Sequence, residues 1–199
     1  MGSFDSCRKI VVVAFCCLAF LIVALSSAFA GEKHNAIPSD QYGCPAILLT
    51  NKDYFPALLK AIDEAQSEIF MSIFSFKAGV HKNSYPDRIL ERLAKAVKRG
   101  VKVTAILETT ANSSDELNIQ NRRTGELLEE KDVKVYFDSP RQTTHTKLIV
   151  IDERLVFLGS HNFTQAALKY NNEISILLDR PDLAKRARDY MLKIIREAK

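Results

Sequence analysis

The residues best suited to chemistry cluster between positions 145 and 173. In "HTKLIVID" (145–152) a histidine and a lysine precede an apolar run and an aspartate follows it. Six residues later "GSHNF" supplies Ser160 and Asn162, and Glu173 heads the next apolar run. His145 and Lys147 are two apart, so on a strand their side chains share a face. Ser160 and Asn162 repeat that spacing, and Asp152 falls at a turn. A lysine offers a point positive charge to a non-bridging phosphate oxygen, and an asparagine adds a neutral donor to another. A carboxylate can hold an imidazole by its Nδ1–H, leaving Nε2 free to attack or to give up a proton. These are the parts of a phosphoryl-transfer site. A His-x-Lys pair alone is more often a solvated strand edge; the serine, asparagine and glutamate in register with it are what favour a site.

Strands and helices must position this set, and their pattern is regular from Ala46 onward. "AILL" reads as a strand, "KDYFPALLKAIDEAQ" as an amphipathic helix and "SEIFMSIFSF" as a strand. "PDRILERLAKAVKRG" opens with Pro86 and closes with Gly100, a well-punctuated helix. "VKVTAILE" is a strand, "SSDELNIQNRRTGELLEEK" helical and "VKVYF" a further strand. Then come strand "HTKLIVI", a tight turn at "DER", strand "LVFLG", a short helix near 164–168, strand "EISILL" and a last helix from Pro181. Alternating strands and helices predict an α/β sheet with helices on its faces, and the strand-turn-strand unit adds an antiparallel pair. No internal repeat is visible.

The chain has 199 residues, 47% of them hydrophobic, enough for one domain with a sizeable core. Residues 1–30 stand apart. Arg8 and Lys9 precede an unbroken apolar run over 10–25, and "AFA" before Gly31 fits a small-residue cleavage site. This reads as an export signal, which places the domain in the periplasm or outside the cell. The alternative is an uncleaved membrane anchor through residues 10–25, with the domain again outside the cytoplasm. "MGSFDS" also fits an acylation pattern, a coincidence beside a signal-like run. Residues 31–45, broken by Pro38 and Pro45, read as a linker, leaving 46–199 as the domain. Three of the four cysteines lie in the leader; Cys44 alone follows it, so neither a disulfide framework nor a C-x-x-C metal clip is present. Removing residues 1–30 takes Asp5, Arg8 and Lys9 and turns the net charge from +4 to +3. Any affinity for an anionic partner must then be local.

The motif residues resemble those of the phospholipase D superfamily. "HTKLIVID" matches its H-x-K-x-x-x-x-D motif, "GSHNF" its G-S-x-N-F, and the acid in "NNEISILL" falls at the family's spacing from the asparagine. "IFMSIFSF" and "LAKAVKRGVKVTAIL" resemble its upstream strand and helix-strand unit, so the likeness runs over residues 46–197. It implies a layered α/β sandwich with a mixed sheet flanked by helices. One motif per chain points to the branch that includes a small exported endonuclease and a mitochondrial cardiolipin hydrolase; the latter group's Cys/His zinc insertion is missing here, which favours the former. The resemblance implies two-step phosphodiester hydrolysis through a phosphohistidine, without a metal or other cofactor. It also implies a homodimer in which two copies of His145 face each other in one shared site. Lys147 and Asn162 would grip the phosphate, Ser160 would support the site, Glu173 would orient His145, and Asp152 would point away and serve structure.

Several neighbours admit plainer readings. His161 should face away from Ser160 and Asn162 and be structural; His34 and His81 sit in polar surroundings typical of surface histidines. Arg141 could bind the substrate's flank or be an ordinary loop arginine. "EEKDVK" and "ERLAKAVKR" are charge runs of solvated helix faces. Phe74 and Phe76 belong to the core, with Phe76 near the cleft by analogy. For the substrate, a non-specific endonuclease on DNA or RNA is expected, with Lys77, Lys82 and Arg141 lining a groove. A phospholipase D or cardiolipin hydrolase is the alternative, though the short polar connections offer no amphipathic lid. A third reading is an inactive module that only binds phosphate or nucleic acid.

Overall fold

The computed structural model describes residues 46–198; the leader, the linker, His34 and Cys44 lie outside the described residues. Seven strands form one sheet: β1 (Ala46–Thr50), β2 (Glu68–Ile73), β3 (Lys102–Leu107), β4 (Lys134–Phe137), β5 (Lys147–Ile151), β6 (Leu155–Gly159) and β7 (Ile174–Asp179). Five helices accompany them: α1 (Tyr54–Glu64), α2 (Tyr85–Lys98), α3 (Glu116–Glu129), α4 (Gln165–Lys169) and α5 (Pro181–Glu197). The helix starts follow local chemistry. Ser84 caps α2 by accepting from the Asp87 N–H, Asp115 caps α3 through the Leu117 N–H, and Thr164 caps α4 through the Ala167 N–H. Gly100 ends the α2 turn at φ +92°, a conformation that suits glycine.

The strand order is β1-β7-β6-β5-β2-β3-β4. β2, β3 and β4 run parallel, linked by crossover helices, and β5, β6 and β7 form an antiparallel meander against β2. The mixed α/β sheet expected from the sequence is therefore present. β1 departs from the simple alternation: it sits at the far edge, antiparallel to β7, with Leu49 its one buried residue. Four helices cover one face of the sheet, where Leu58, Ile62, Ile89, Leu93 and Leu128 pack on Ile69, Met71, Ile149 and Phe157. Among the described residues, the other face is covered by α5 alone, through Ala184, Met191 and Ile194 against Phe70, Ile106 and Val150. Alternation along β2 and β5 makes this two-faced core, since successive residues point to opposite sides.

One edge of the sheet collects the chemistry. The residues just beyond β2, β3, β4 and β6 are Phe74, Glu108, Asp138 and Ser160, while Thr146 and Glu173 immediately precede β5 and β7. Carboxyl ends of parallel strands are where open α/β sheets place their ligands, because loops there are free to diverge. Asp152 lies at the opposite end of β5, against the start of β2.

Candidate active site

β5 begins at Lys147, so His145 lies two residues outside the strand on the segment that leads into it. The pair nevertheless meets at one ring. His145 packs edge-on against Phe74 at 4.3 Å, and the Lys147 ammonium lies 4.7 Å from the centre of the same ring. Phe74 is held there by its N–H, which donates to the Thr146 carbonyl at 2.8 Å. The Thr146 hydroxyl in turn bonds Ser72 Oγ at 2.6 Å. Lys147 is only 6% exposed, and its Nζ donates to the His145 carbonyl oxygen at 3.1 Å.

Burial and position set the charges. Loss of water against Phe74, then repulsion by Lys147, lowers the His145 pKa below the ordinary histidine value. The imidazole is therefore neutral at neutral pH, as a nucleophile or base requires. Burial also lowers the Lys147 pKa, opposed by the carboxylates of Glu173 and Glu108. Asn162 makes no side-chain hydrogen bond among the described residues, and its Oδ1 is buried without a donor. Such an amide has its donor capacity in reserve for a ligand.

Ser160 and Glu173 form a rigid pair. The Ser160 hydroxyl donates to Glu173 Oε2 and accepts from the Ile174 N–H at 3.1 Å. Asn171 Nδ2 donates to Glu173 Oε1 at 3.1 Å, and the Glu173 N–H donates to Asn51 Oδ1 at 2.8 Å. Within one chain Glu173 bonds Ser160 and Asn171 and not His145, and each carboxylate oxygen keeps a lone pair for a further donor. The Glu173 charge also supports the Lys147 ammonium against its burial.

Asp152 takes no part in this edge. Its carboxylate accepts from the backbone N–H groups of Gln66, Ser67 and Glu68, at 2.9, 2.8 and 3.1 Å, and from Ser67 Oγ at 2.8 Å. Burial works against its charge, but these donors outweigh it and hold its pKa below the usual carboxylate value. His161 is fully buried, stacked on Tyr54 at 4.2 Å. Its Nε2 lies 3.0 Å from the Asn51 carbonyl oxygen, which can only accept, so Nε2 carries the proton and Nδ1 accepts from Ser175 Oγ at 2.7 Å. His161 is a structural residue, as its position in G-S-x-N suggests.

Other expectations need correction. Phe76 is not at the cleft: it is 0% exposed and sits edge-on to Phe163 at 5.0 Å, and Phe74 takes the place beside the site. Lys77 is not a free groove cation, since Glu116 holds its ammonium at 3.1 Å. Arg141, His81 and Lys82 are exposed, Arg141 on the segment leading to His145. Sequence reasoning also passed over Glu108, Asp138 and Asn51. A lone acid after each of two strands, and an asparagine before a helix, carry no distinctive spacing. Among the described residues, no group of three or more His, Cys, Asp and Glu side chains is placed to hold a metal ion.

Comparison with known proteins places this geometry in a family. A family model described as "Cardiolipin synthase, PLD-like domain" matches residues 58–195. The chain belongs to the phospholipase D superfamily. Within it, the chain is 32% identical over 125 residues to a phospholipase D of Rickettsia conorii, covering 62% of this chain and 54% of that protein. It is 24% identical over 147 residues to the mouse mitochondrial cardiolipin hydrolase, covering 72% and 58%. The chain thus spans little more than half the length of these curated relatives. Two solved structures share the phospholipase D-like fold. Nuc of Salmonella typhimurium, a phospholipase D family member, matches with a TM-score of 0.63 at 24% identity, covering 77% of this chain and 97% of that one. NucT of Helicobacter pylori matches with a TM-score of 0.64 at 22% identity over the same shares.

Proposed function

We propose that this chain is a metal-independent phosphodiester hydrolase that works through a phosphohistidine, and that its substrate is nucleic acid. The observation that carries the reading is the convergence at one sheet edge of a neutral imidazole (His145), a buried ammonium (Lys147) and an uncommitted amide (Asn162). In the first step a His145 nitrogen attacks phosphorus. The N–P bond forms as the P–O bond to the leaving group breaks, and a second imidazole, which enters as imidazolium held beside the substrate's phosphate anion, gives its proton to the departing oxygen. In the second step that imidazole takes a proton from water, and the hydroxide breaks the N–P bond and frees His145. Lys147 and Asn162 hold the non-bridging oxygens as charge shifts onto them.

One chain supplies one such histidine, so the second comes from a second copy, and the working form is a homodimer with a shared site. Exposed apolar side chains beside the site support this: Leu48, Leu158 and Ile174 stand on the sheet face that α5 leaves open, next to Ser160 and Glu173. The same residues favour the second reading, a phospholipase D or cardiolipin hydrolase, in which they would meet acyl chains. Exposed Lys82 and Arg141, with the polar connections around them, support the nuclease. Export or membrane anchoring through residues 1–30 completes the proposal, with the site outside the cytoplasm.

The test uses the purified chain in EDTA with single-stranded DNA, RNA, duplex DNA and cardiolipin or phosphatidylcholine vesicles, and His145→Ala as control. Nucleic-acid cleavage that persists in EDTA and is lost in the variant is the expected result. Lipid turnover alone would transfer the chain to the second reading. Binding without turnover, unchanged in the variant, would sink the enzyme reading altogether.

A further inference from the structure

β3 and β4 are parallel neighbours in register, with Leu107 opposite Phe137, and each is followed at once by an acid. Glu108 and Asp138 therefore lie side by side, 2% and 3% exposed, directly behind the site. Few donors serve them. The Thr144 N–H donates to Glu108 Oε2 at 2.6 Å and the Thr109 N–H to Asp138 Oδ1 at 2.7 Å, while Asp138 Oδ2 is buried with no donor. The nearby cation does not neutralise them by contact: Lys147 Nζ is bonded to the His145 carbonyl and lies over Phe74. Arg122 reaches the Thr109 hydroxyl at 3.3 Å and lies over the Phe137 ring, and it bonds neither carboxylate. Two ionised carboxylates cannot share so dry a space, and a proton between them would give Asp138 its missing donor.

We propose that Glu108 and Asp138 share one proton, and that Glu108 is a positioning residue that fixes the segment carrying His145. The segment from β4 to β5 is tied at both ends by this pair. Asp138 anchors its start, through the Thr109 N–H and through its own N–H to the Leu107 carbonyl at 3.1 Å. Glu108 anchors its end at Thr144, one residue before His145. While the proton is present, the two side chains attract and the segment is closed down on β3. When it leaves, two negative charges face each other and push Glu108 away from Asp138, so the acceptor that holds Thr144 moves even though its bond to the N–H persists. Burial, the hydrogen bond to Asp138 and the Asp138 charge raise the Glu108 pKa to about 8, against the pull of the Thr144 N–H and of Lys147. The charged groups facing Glu108 are thus Asp138 from the β4 end and Lys147 from β5. A raised folded pKa means that the pair's contribution is complete in acid and is lost as pH rises through about 8.

The kinetic part rests on the phosphodiesterase reading; the proton itself does not, so the two are tested separately. Infrared spectra of the full chain at pH 7 should show a protonated-carboxyl C=O band that disappears on titration near pH 8 and is missing in Glu108→Gln. No such band in the wild type overturns the proposal, whether or not the chain hydrolyses anything. In kinetics, Glu108→Ala should lower kcat by roughly 10- to 100-fold with little change in KM, because a misplaced nucleophile costs rate and not binding. Glu108→Gln, whose amide can donate to Asp138 and accept from Thr144 at every pH, should recover most of that loss and remove the alkaline fall. Asp138→Asn is the second variant should either fail to fold, and it should remove the same fall. A Gln variant as slow as Ala, or an alkaline limb unchanged in both amides, would show that the pair does not position His145.

Discussion

Replacing Asp152 by asparagine separates the structural reading of the motif aspartate from a chemical one. Asp152 and Glu153 both occupy left-handed backbone, φ +54° and +51°, a region that asparagine tolerates, so the turn itself survives the exchange. What is lost is charge. The carboxylate gathers three backbone N–H groups and one hydroxyl, tying the β5–β6 turn to the first residues of β2. Hydrogen bonds to a charged acceptor are worth about 1.5–3 kcal/mol each and neutral ones about 1 kcal/mol. Asparagine keeps one acceptor oxygen and adds a poorly placed NH2 group. Partial exposure of Gln66 and Ser67 lets water repair some of the damage, which puts the expected loss at about 2 kcal/mol. For a domain of this size that is roughly 4–8 °C in Tm. Thermal and urea melts of the full chain would measure it, and the difference should depend on pH. Because the folded carboxyl titrates below its ordinary value, its stabilisation is present above about pH 4 and lost as pH falls through the lower folded value. The two proteins should therefore converge in acid. Turnover per folded molecule at 25 °C should stay within about threefold of wild type, since Asp152 lies at the far end of β5 from His145. A variant of unchanged stability that has lost turnover would refute the structural assignment.

Two further outcomes follow from geometry already described. A Cβ at Gly159 would land against the Ser175 side chain and backbone and 2.5 Å from the Ile174 carbonyl oxygen, so Gly159→Ala should prise β6 from β7. It should cost about 2 kcal/mol or more in urea unfolding and weaken turnover through the Ser160–Glu173 pair; a stable, fully active variant would contradict this. The acid limb of the rate profile should fall below the ordinary histidine value near 6.5, because burial and Lys147 both lower the His145 pKa. In Lys147→Met the ring stays packed but the repulsion is gone, so NMR titration should show the His145 pKa rising; an unchanged or lower value would deny Lys147 its electrostatic role.

Much of this was legible in the sequence because its signals are local. Pro86 and Gly100 bracket α2 as punctuation predicts, and the apolar runs of β2, β3 and β5 appear as strands. His145, Lys147, Ser160, Asn162 and Glu173 could be singled out because a fixed spacing along two antiparallel strands and their connection brings them to one edge. What escaped notice depends on partners distant in sequence. Glu108 and Asp138 are 30 positions apart and meet only because β3 and β4 are neighbours. The edge position of β1 depends on pairing with β7, which no local pattern announces. Phe74 and Phe76 are chemically alike and two apart, so only the path of the chain beyond β2 decides which one reaches the site.

The spacing within "HTKLIVID" has a mechanical meaning in this fold. Lys147 opens β5, four apolar residues carry the strand through the core, and Asp152 closes it. The pinned end fixes how far β5 slides along β2, because the Asp152 carboxylate grips the three N–H groups at the start of that strand. The free end then delivers Lys147 opposite Ile73, one residue before the Phe74 ring that both Lys147 and His145 touch. A strand one residue longer or shorter would turn Lys147 to the opposite face of the sheet, away from that ring. The aspartate and the histidine are thus coupled without contact. One sets the position of a rigid strand and the other uses it, so a residue at the far end of β5 can belong to the same motif as His145.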